Sequence, residues 1–284
     1  MSALQARHVR KGFFVKYLLL SLPLFCISLL CSYTAHSLED SEFKFLIDNI
    51  KQNKFDVVET YLAEERATAT TDPDYTVLLL NYSFNKARST HYTTGLGVAK
   101  KGDFELTSLD GNNTKGFLRE VVSFDEISIL ESLRIAQDNL RFFPNQLDIH
   151  FGIVSIAQNI GEHSVMADQL ISMLKTSKEI DNKWQWGKVG SMEGDPEEFM
   201  IQGLLPRTAM LFRLESEEGD RLLINVSEAL IQYYPNKVYG YANLGSLYGA
   251  TKRYDEARKY YEKALEVDPN DEVVMKNFKR LNNH

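Results

Sequence analysis

Beyond residue 37 the chain has no cysteine: of its 284 residues only Cys26 and Cys31 carry a thiol, and both lie in the leading segment. That absence excludes a disulfide framework, a zinc-ribbon spacing and a cysteine nucleophile from everything downstream. Positive charge is also in short supply. With 32 Lys and Arg against 39 Asp and Glu the net charge is −7, which disfavours a nucleic-acid surface spread over the molecule. The later histidines, His91, His150, His163 and His284, contain no pair at a metal-binding helical spacing. A Gly-x-Ser-x-Gly elbow is missing too.

Two segments come near a motif and fail it. In the run from Gly95 to Gly102, Lys100 stands where a dinucleotide fingerprint needs glycine. Asp103 and Phe104 follow where a P-loop needs Lys and then Ser or Thr. Asp110-Gly111-Asn112-Asn113-Thr114 is rich in oxygen donors, yet Lys115 and Val121 occupy the glycine and glutamate places of an EF-hand loop. A loop and a turn are the simpler readings. The acid pairs Glu197-Glu198 and Glu217-Glu218 point apart on a helix and suit a first turn or a solvated face. No catalytic residue, metal ligand or cofactor is expected.

What is present begins with an address. Residues 1–16 hold Arg7, Arg10, Lys11 and Lys16 and no acid; the 19 residues from Tyr17 to Ala35 are uncharged and rich in leucine. Three readings stay open. The segment is a signal cleaved after Ala35-His36-Ser37, or an uncleaved anchor close to the ~20 residues a spanning helix needs. The third is a lipid on Cys31, for which Leu30 is a large preceding residue. All three expect the body outside the cytoplasm, periplasmic or in the cell envelope, with membrane contact only through an uncleaved segment. Without residues 1–37 the net charge falls to −11, because the segment takes four cations and no acid. A cysteine-free acidic body suits an oxidising compartment.

Internal repetition organises the rest. Phe142-Phe143-Pro144-Asn145 and Tyr233-Tyr234-Pro235-Asn236 begin two stretches that align without a gap, each a helix, a polar turn and a second helix. In the later copy Tyr241, Leu244, Gly245, Tyr248, Ala257, Tyr261, Ala264 and Pro269 stand at the spacing aromatic-x2-Leu-Gly-x2-Tyr, then Ala-x3-aromatic, then Pro. Residues 238–271 thereby resemble the tetratricopeptide repeat, with Tyr241 in place of the commoner tryptophan. The resemblance is looser over 41–237. The earlier copy, 147–180, keeps Ile153, Ala157 and Leu170, has Val154 for the glycine, and places Ala167 one position late.

The resemblance implies an all-α, right-handed α-α superhelix over residues 38–284. About five helix pairs are expected, with a final capping helix opened by Asp271. The first pair covers about Ser41 to Arg66, and Asp72-Pro73 opens the second. A capping box at Ser123-Phe124-Asp125-Glu126 is expected to start that pair's other helix. Residues 87–122 swell the turn between them far beyond an ordinary helical hairpin, and a β-hairpin is expected near 100–122. Asp195–Leu214, with Pro206 inside it, and Asp220–Tyr234 form the fourth pair.

In this family the first helices line a concave groove that takes an extended peptide or a partner's helix. By resemblance the groove residues are Tyr239, Ala242, Asn243 and Ser246, and in the earlier copy Asp148, Phe151, Ser155 and Gln158. Asn243 stands where some members hold a terminal carboxylate, but Phe151 and Ser155 replace the companion cations, so no such clamp is inferred. The expected function is a non-catalytic exported scaffold for a protein or peptide partner. Residues 182–195 carry both tryptophans, Trp184 and Trp186. Their rings either plug the groove between repeats or form an aromatic platform for an envelope glycan.

Overall fold

The computed structural model describes residues 38–68, 72–107, 115–188 and 190–281, all within one unit spanning Ala35–His284. The leading segment and the oxygen-rich turn at 110–114 lie outside the described residues. Helices α1 (Asp40–Lys51) and α2 (Phe55–Glu64) form the first pair. A second pair, α3 (Pro73–Ala87) and α4 (Glu126–Asn139), is separated by β1 (Arg88–Leu96), β2 (Phe104–Thr107) and β3 (Lys115–Phe124). Then follow α5 (Leu147–Ile160) with α6 (His163–Glu179), α7 (Pro196–Arg213) with α8 (Glu217–Tyr233), and α9 (Tyr239–Ala250) with α10 (Tyr254–Val267). Helix α11 (Glu272–Leu281) closes the series. Among the described residues there are therefore five pairs and a cap, as the repeat implies.

Several helix starts follow from the residue that precedes them. Asp72 accepts from the Asp74 amide at 2.9 Å, and Pro73 takes the first helical place, where a missing N–H costs nothing. Asp195 accepts from Glu198, Ser216 from Gly219 and Asp271 from Val274 in the same manner. The capping box at Ser123 does not form. Ser123 and Phe124 belong to β3, where Ser123 Oγ lies 2.7 Å from Ser89 Oγ on the paired strand. Asp125 takes the N-cap place instead.

The pairs stack around a continuous apolar core that runs from Phe43 in α1 to Leu247 in α9. A smaller core joins α9, α10 and α11 through Leu244, Tyr261, Val274 and Leu281. Between α9 and α10 the approach is close because Gly245 lacks a side chain; a Cβ there would sit 2.7 Å from the Tyr261 ring. The aromatic doublets of the two copies divide their labour. Phe143 and Tyr234 are buried, whereas Phe142 is exposed and Tyr233 half-buried.

The insertion is larger than a hairpin. Strands β2 and β3 make the expected antiparallel pair, and β1 adds a third strand on the other side of β3, from Arg88↔Phe124 to Leu96↔Gly116. Phe84 stacks on Phe124 at 5.1 Å and joins the sheet to α3. Alternation places Tyr92, Leu96, Phe104, Leu106 and Val122, all exposed, on one face. On the other, Arg119 lies over Phe117 and pairs with Asp103 at 2.7 Å in the β1–β2 connection. Among the described residues, no helix is long and apolar enough to cross a membrane.

Candidate functional site

The connection from α6 to α7 is a strap laid across the starts of other helices. It is pinned first at Asn182, whose Oδ1 accepts from the Tyr234 hydroxyl at 2.8 Å and whose amide donates to Glu197 at 2.8 Å. Trp184 is next, 5% exposed and edge-on to His150 at 5.4 Å. Burial pushes the His150 pKa down to about 4, so the ring is neutral at pH 7. Gln169 donates to its Nδ1 at 2.6 Å, which leaves Nε2–H to donate to the Pro144 carbonyl at 3.0 Å.

Gln185 exchanges backbone bonds with Asn145 and Leu147, forming one parallel rung beside α5. Gly187 passes so near Asp148 that a Cβ would lie 2.4 Å from Oδ2. Lys188 ends the crossing with ion pairs to Asp74 at 2.9 Å and Asp40 at 3.5 Å, and also donates to the Leu38 carbonyl. Burial raises the Asp148 carboxyl to about 6, helped by the negative charge of Asp74. The N–H groups of Ile149 and Gly187 oppose that rise without cancelling it.

Beside the strap, helices α3, α5 and α7 enclose a groove cavity of about 590 Å3. Its aromatic wall is Phe151, Trp186 and Phe199, with ring separations between 5.2 and 6.5 Å. Gly203 lets α7 close on α5, since a Cβ there would meet the Phe151 ring at 2.3 Å. Asn81, Ser155 and Gln202 supply neutral polar groups, and Asp148 and Arg207 are the charged members. A narrower cleft of about 200 Å3 continues between α3 and α5 past Asn81, Gly152 and Ser155.

Three of the four residues expected from the earlier copy, Asp148, Phe151 and Ser155, thus line one cavity. Gln158 is half-buried near the end of α5 and does not line it. The later set is split from this site. Ser246 lines a second cavity of about 480 Å3 with Phe212, Tyr261 and Arg280, and its Oγ lies 3.1 Å from the Tyr261 hydroxyl. Asn243 keeps a buried amide nitrogen without a hydrogen-bond partner among the described residues. Tyr239 and Ala242 are half-buried against the larger and the smaller core respectively.

The tryptophans do not act as a pair. Trp184 is core and Trp186 is groove wall, so they present no two-ring platform to a glycan. Sequence reasoning missed Phe199, Gln202 and Arg207, because α7 carries no repeat signature to set its register. Among the described residues, no group of three or more His, Cys, Asp or Glu is placed to hold a metal ion.

Stacked helix pairs with a cavity along the helices that open successive pairs define a helical-repeat protein. Residues 238–271 match the tetratricopeptide repeat family, whose repeats serve as protein-interaction scaffolds and are generally non-catalytic. No curated protein matches the chain.

Proposed function

We propose that the protein is an exported, non-catalytic scaffold that holds a protein or peptide partner in the groove between α3, α5 and α7. One observation carries the reading: by resemblance the repeat register expects Asp148, Phe151 and Ser155 in the groove, and these residues line a cavity roomy enough for a short peptide segment. Export is supported by the four cations and the uncharged run ahead of Leu38, and by the cysteine-free body.

The test is crosslinking in the intact cells that make the protein, with a reagent that does not cross the cytoplasmic membrane. The wild type captures a defined partner. A variant carrying Ser155→Trp and Gln202→Trp, which fill the cavity, loses it while keeping its thermal melting temperature. Equal capture by both proteins rejects the groove. Capture by a permeant reagent alone rejects export.

A further inference from the structure

We infer that the outer edge of β1 is an interface between two copies of this chain. The strand pairs antiparallel with β1 of a second copy about a two-fold axis at Tyr92, which fuses two three-stranded sheets into one of six. The groove between the helices takes no part.

The backbone fixes which groups that edge offers. The Gly97 amide donates to the Lys115 carbonyl at 2.9 Å, and the Asp125 amide to the Ala87 carbonyl at 3.0 Å. Bonded and non-bonded pairs alternate along an antiparallel ladder, so the odd-numbered residues of β1 are the ones bonded to β3. Arg88, Thr90, Tyr92, Thr94 and Leu96 therefore aim their N–H and C=O groups away from the sheet. β1 is an outer strand in the order β1-β3-β2, and among the described residues no backbone group meets its far edge.

Proteins blunt such edges because they invite pairing. The opposite edge, β2, is four residues long and carries Glu105, ion-paired with Lys115. β1 is nine residues long and keeps its register unbroken from Arg88↔Phe124 to Leu96↔Gly116. It has no proline and no bulge, and no Lys, Arg, Asp or Glu stands from Ser89 to Ala99.

The occupant is named by the way β1 complements itself. With the axis at Tyr92 all five outward residues find partners at once: Arg88 opposite Leu96, Thr90 opposite Thr94, and Tyr92 opposite Tyr92. That makes about ten hydrogen bonds. In a single copy Leu96 is 83% and Tyr92 60% exposed. In the pair the aliphatic stem of Arg88 covers Leu96 of the other copy, and the two Tyr92 rings meet. Charge agrees with this. The body beyond residue 37 carries a net −11, yet no acid lies between Ala87 and Gly102, so two acidic bodies can approach there. The two-fold sets the two Arg88 side chains at opposite ends, about 26 Å apart and beyond the screening length.

The test is sedimentation velocity on the full chain in detergent micelles over a concentration series, with a cysteine crosslink to read the register. A monomer–dimer equilibrium is expected. Thr94→Pro removes an outward N–H that β3 does not use, and should raise the dimer dissociation constant at least about tenfold at an unchanged melting temperature. Thr94→Lys, which leaves the backbone intact, weakens the dimer in the same direction. With Cys26→Ser and Cys31→Ser in place, Tyr92→Cys crosslinks under mild oxidation, because a bonded pair brings its Cα atoms to about 5.5 Å. Thr90→Cys does not, since its two copies lie about 14 Å apart.

A chain that stays monomeric at about 100 μM overturns the inference. So does a dimer that Thr94→Lys leaves intact, or a Thr90→Cys chain that crosslinks as readily as Tyr92→Cys.

Discussion

In α9–α10 the ring of Tyr261 lies over Gly245, so the bulk is on the second helix and the space on the first. At the aligned places in α5–α6 stand Leu170 and Val154, both fully buried, so bulk has moved from the second helix to the first. Both pairs close on their partners, yet only the former matches the family pattern. The more recognisable pair lies away from the aromatic cavity, and the pair that helps build it has a repacked interior and a strap across its start. A repeat signature records how two helices pack. It says little about what their outer face has become.

The comparison can be broken most forcefully at the strap. Trp184→Ala removes a nearly buried ring from beside His150 and is expected to cost about 4 kcal/mol, read by denaturant unfolding. A loss below about 1 kcal/mol would make the strap an ornament of α5–α6 rather than part of its core.

Next in size is the exchange of bulk. Gly245→Val drives a side chain into Tyr261 and is expected to cost about 2–3 kcal/mol. Adding Tyr261→Leu, which recreates the Val154–Leu170 combination, recovers a measurable part of that loss in a double-mutant cycle. Simple additivity of the two changes would show that the interiors are not interchangeable solutions.

The smallest effect is a slope. Asp148 keeps its proton in the folded state up to about pH 6 against an ordinary value of 3.8, so its contribution to stability falls as pH rises through that interval. His150 is depressed to about 4 from 6.5, so its contribution rises with pH over nearly the same interval. Between roughly pH 4 and 6 the two oppose each other. Asp148→Asn removes one side, and stability should then fall by about 1.4 kcal/mol per unit as pH drops from 6 towards 4. A variant profile as flat as the wild type's would rule out this opposition. The aligned positions of α9 are Tyr239 and Tyr241, which carry no such pair.

Much of this architecture was legible because it rests on short-range chemistry. Asp72, Asp195 and Asp271 announce their helices through a side chain and an amide two or three residues away. Apolar spacing then gives the pairing of helices. Strand β1 escaped because it is exposed along nearly its whole length, so burial imposes no alternation on Arg88–Leu96. The same pairing hid the true cap of α4, since Ser123 is committed to Ser89.

Within the site, Asp148, Phe151 and Ser155 followed from register. Arg207 and Phe199 did not, because Pro206 and an irregular apolar pattern leave α7 without a template. Lys188 could not have been placed at all. Its partners Asp40 and Asp74 are fixed by the stacking of the whole chain and by nothing near it in sequence.

That last contact changes how the solenoid holds together. A row of repeats touching only their neighbours can peel from either end, one pair at a time. Here a lysine after the third pair is fastened to the Leu38 carbonyl, 150 residues away, and to α1 and α3. The front of the row is thereby buckled to its middle. Loosening of α1 takes Leu38 and Asp40 away from Lys188, two residues from Trp186 in the groove wall, while Asp74, Trp184 and the Gln185 backbone bonds still hold the strap. Fraying and ligand occupancy are thereby coupled, so a bound partner should slow fraying at an end it never touches.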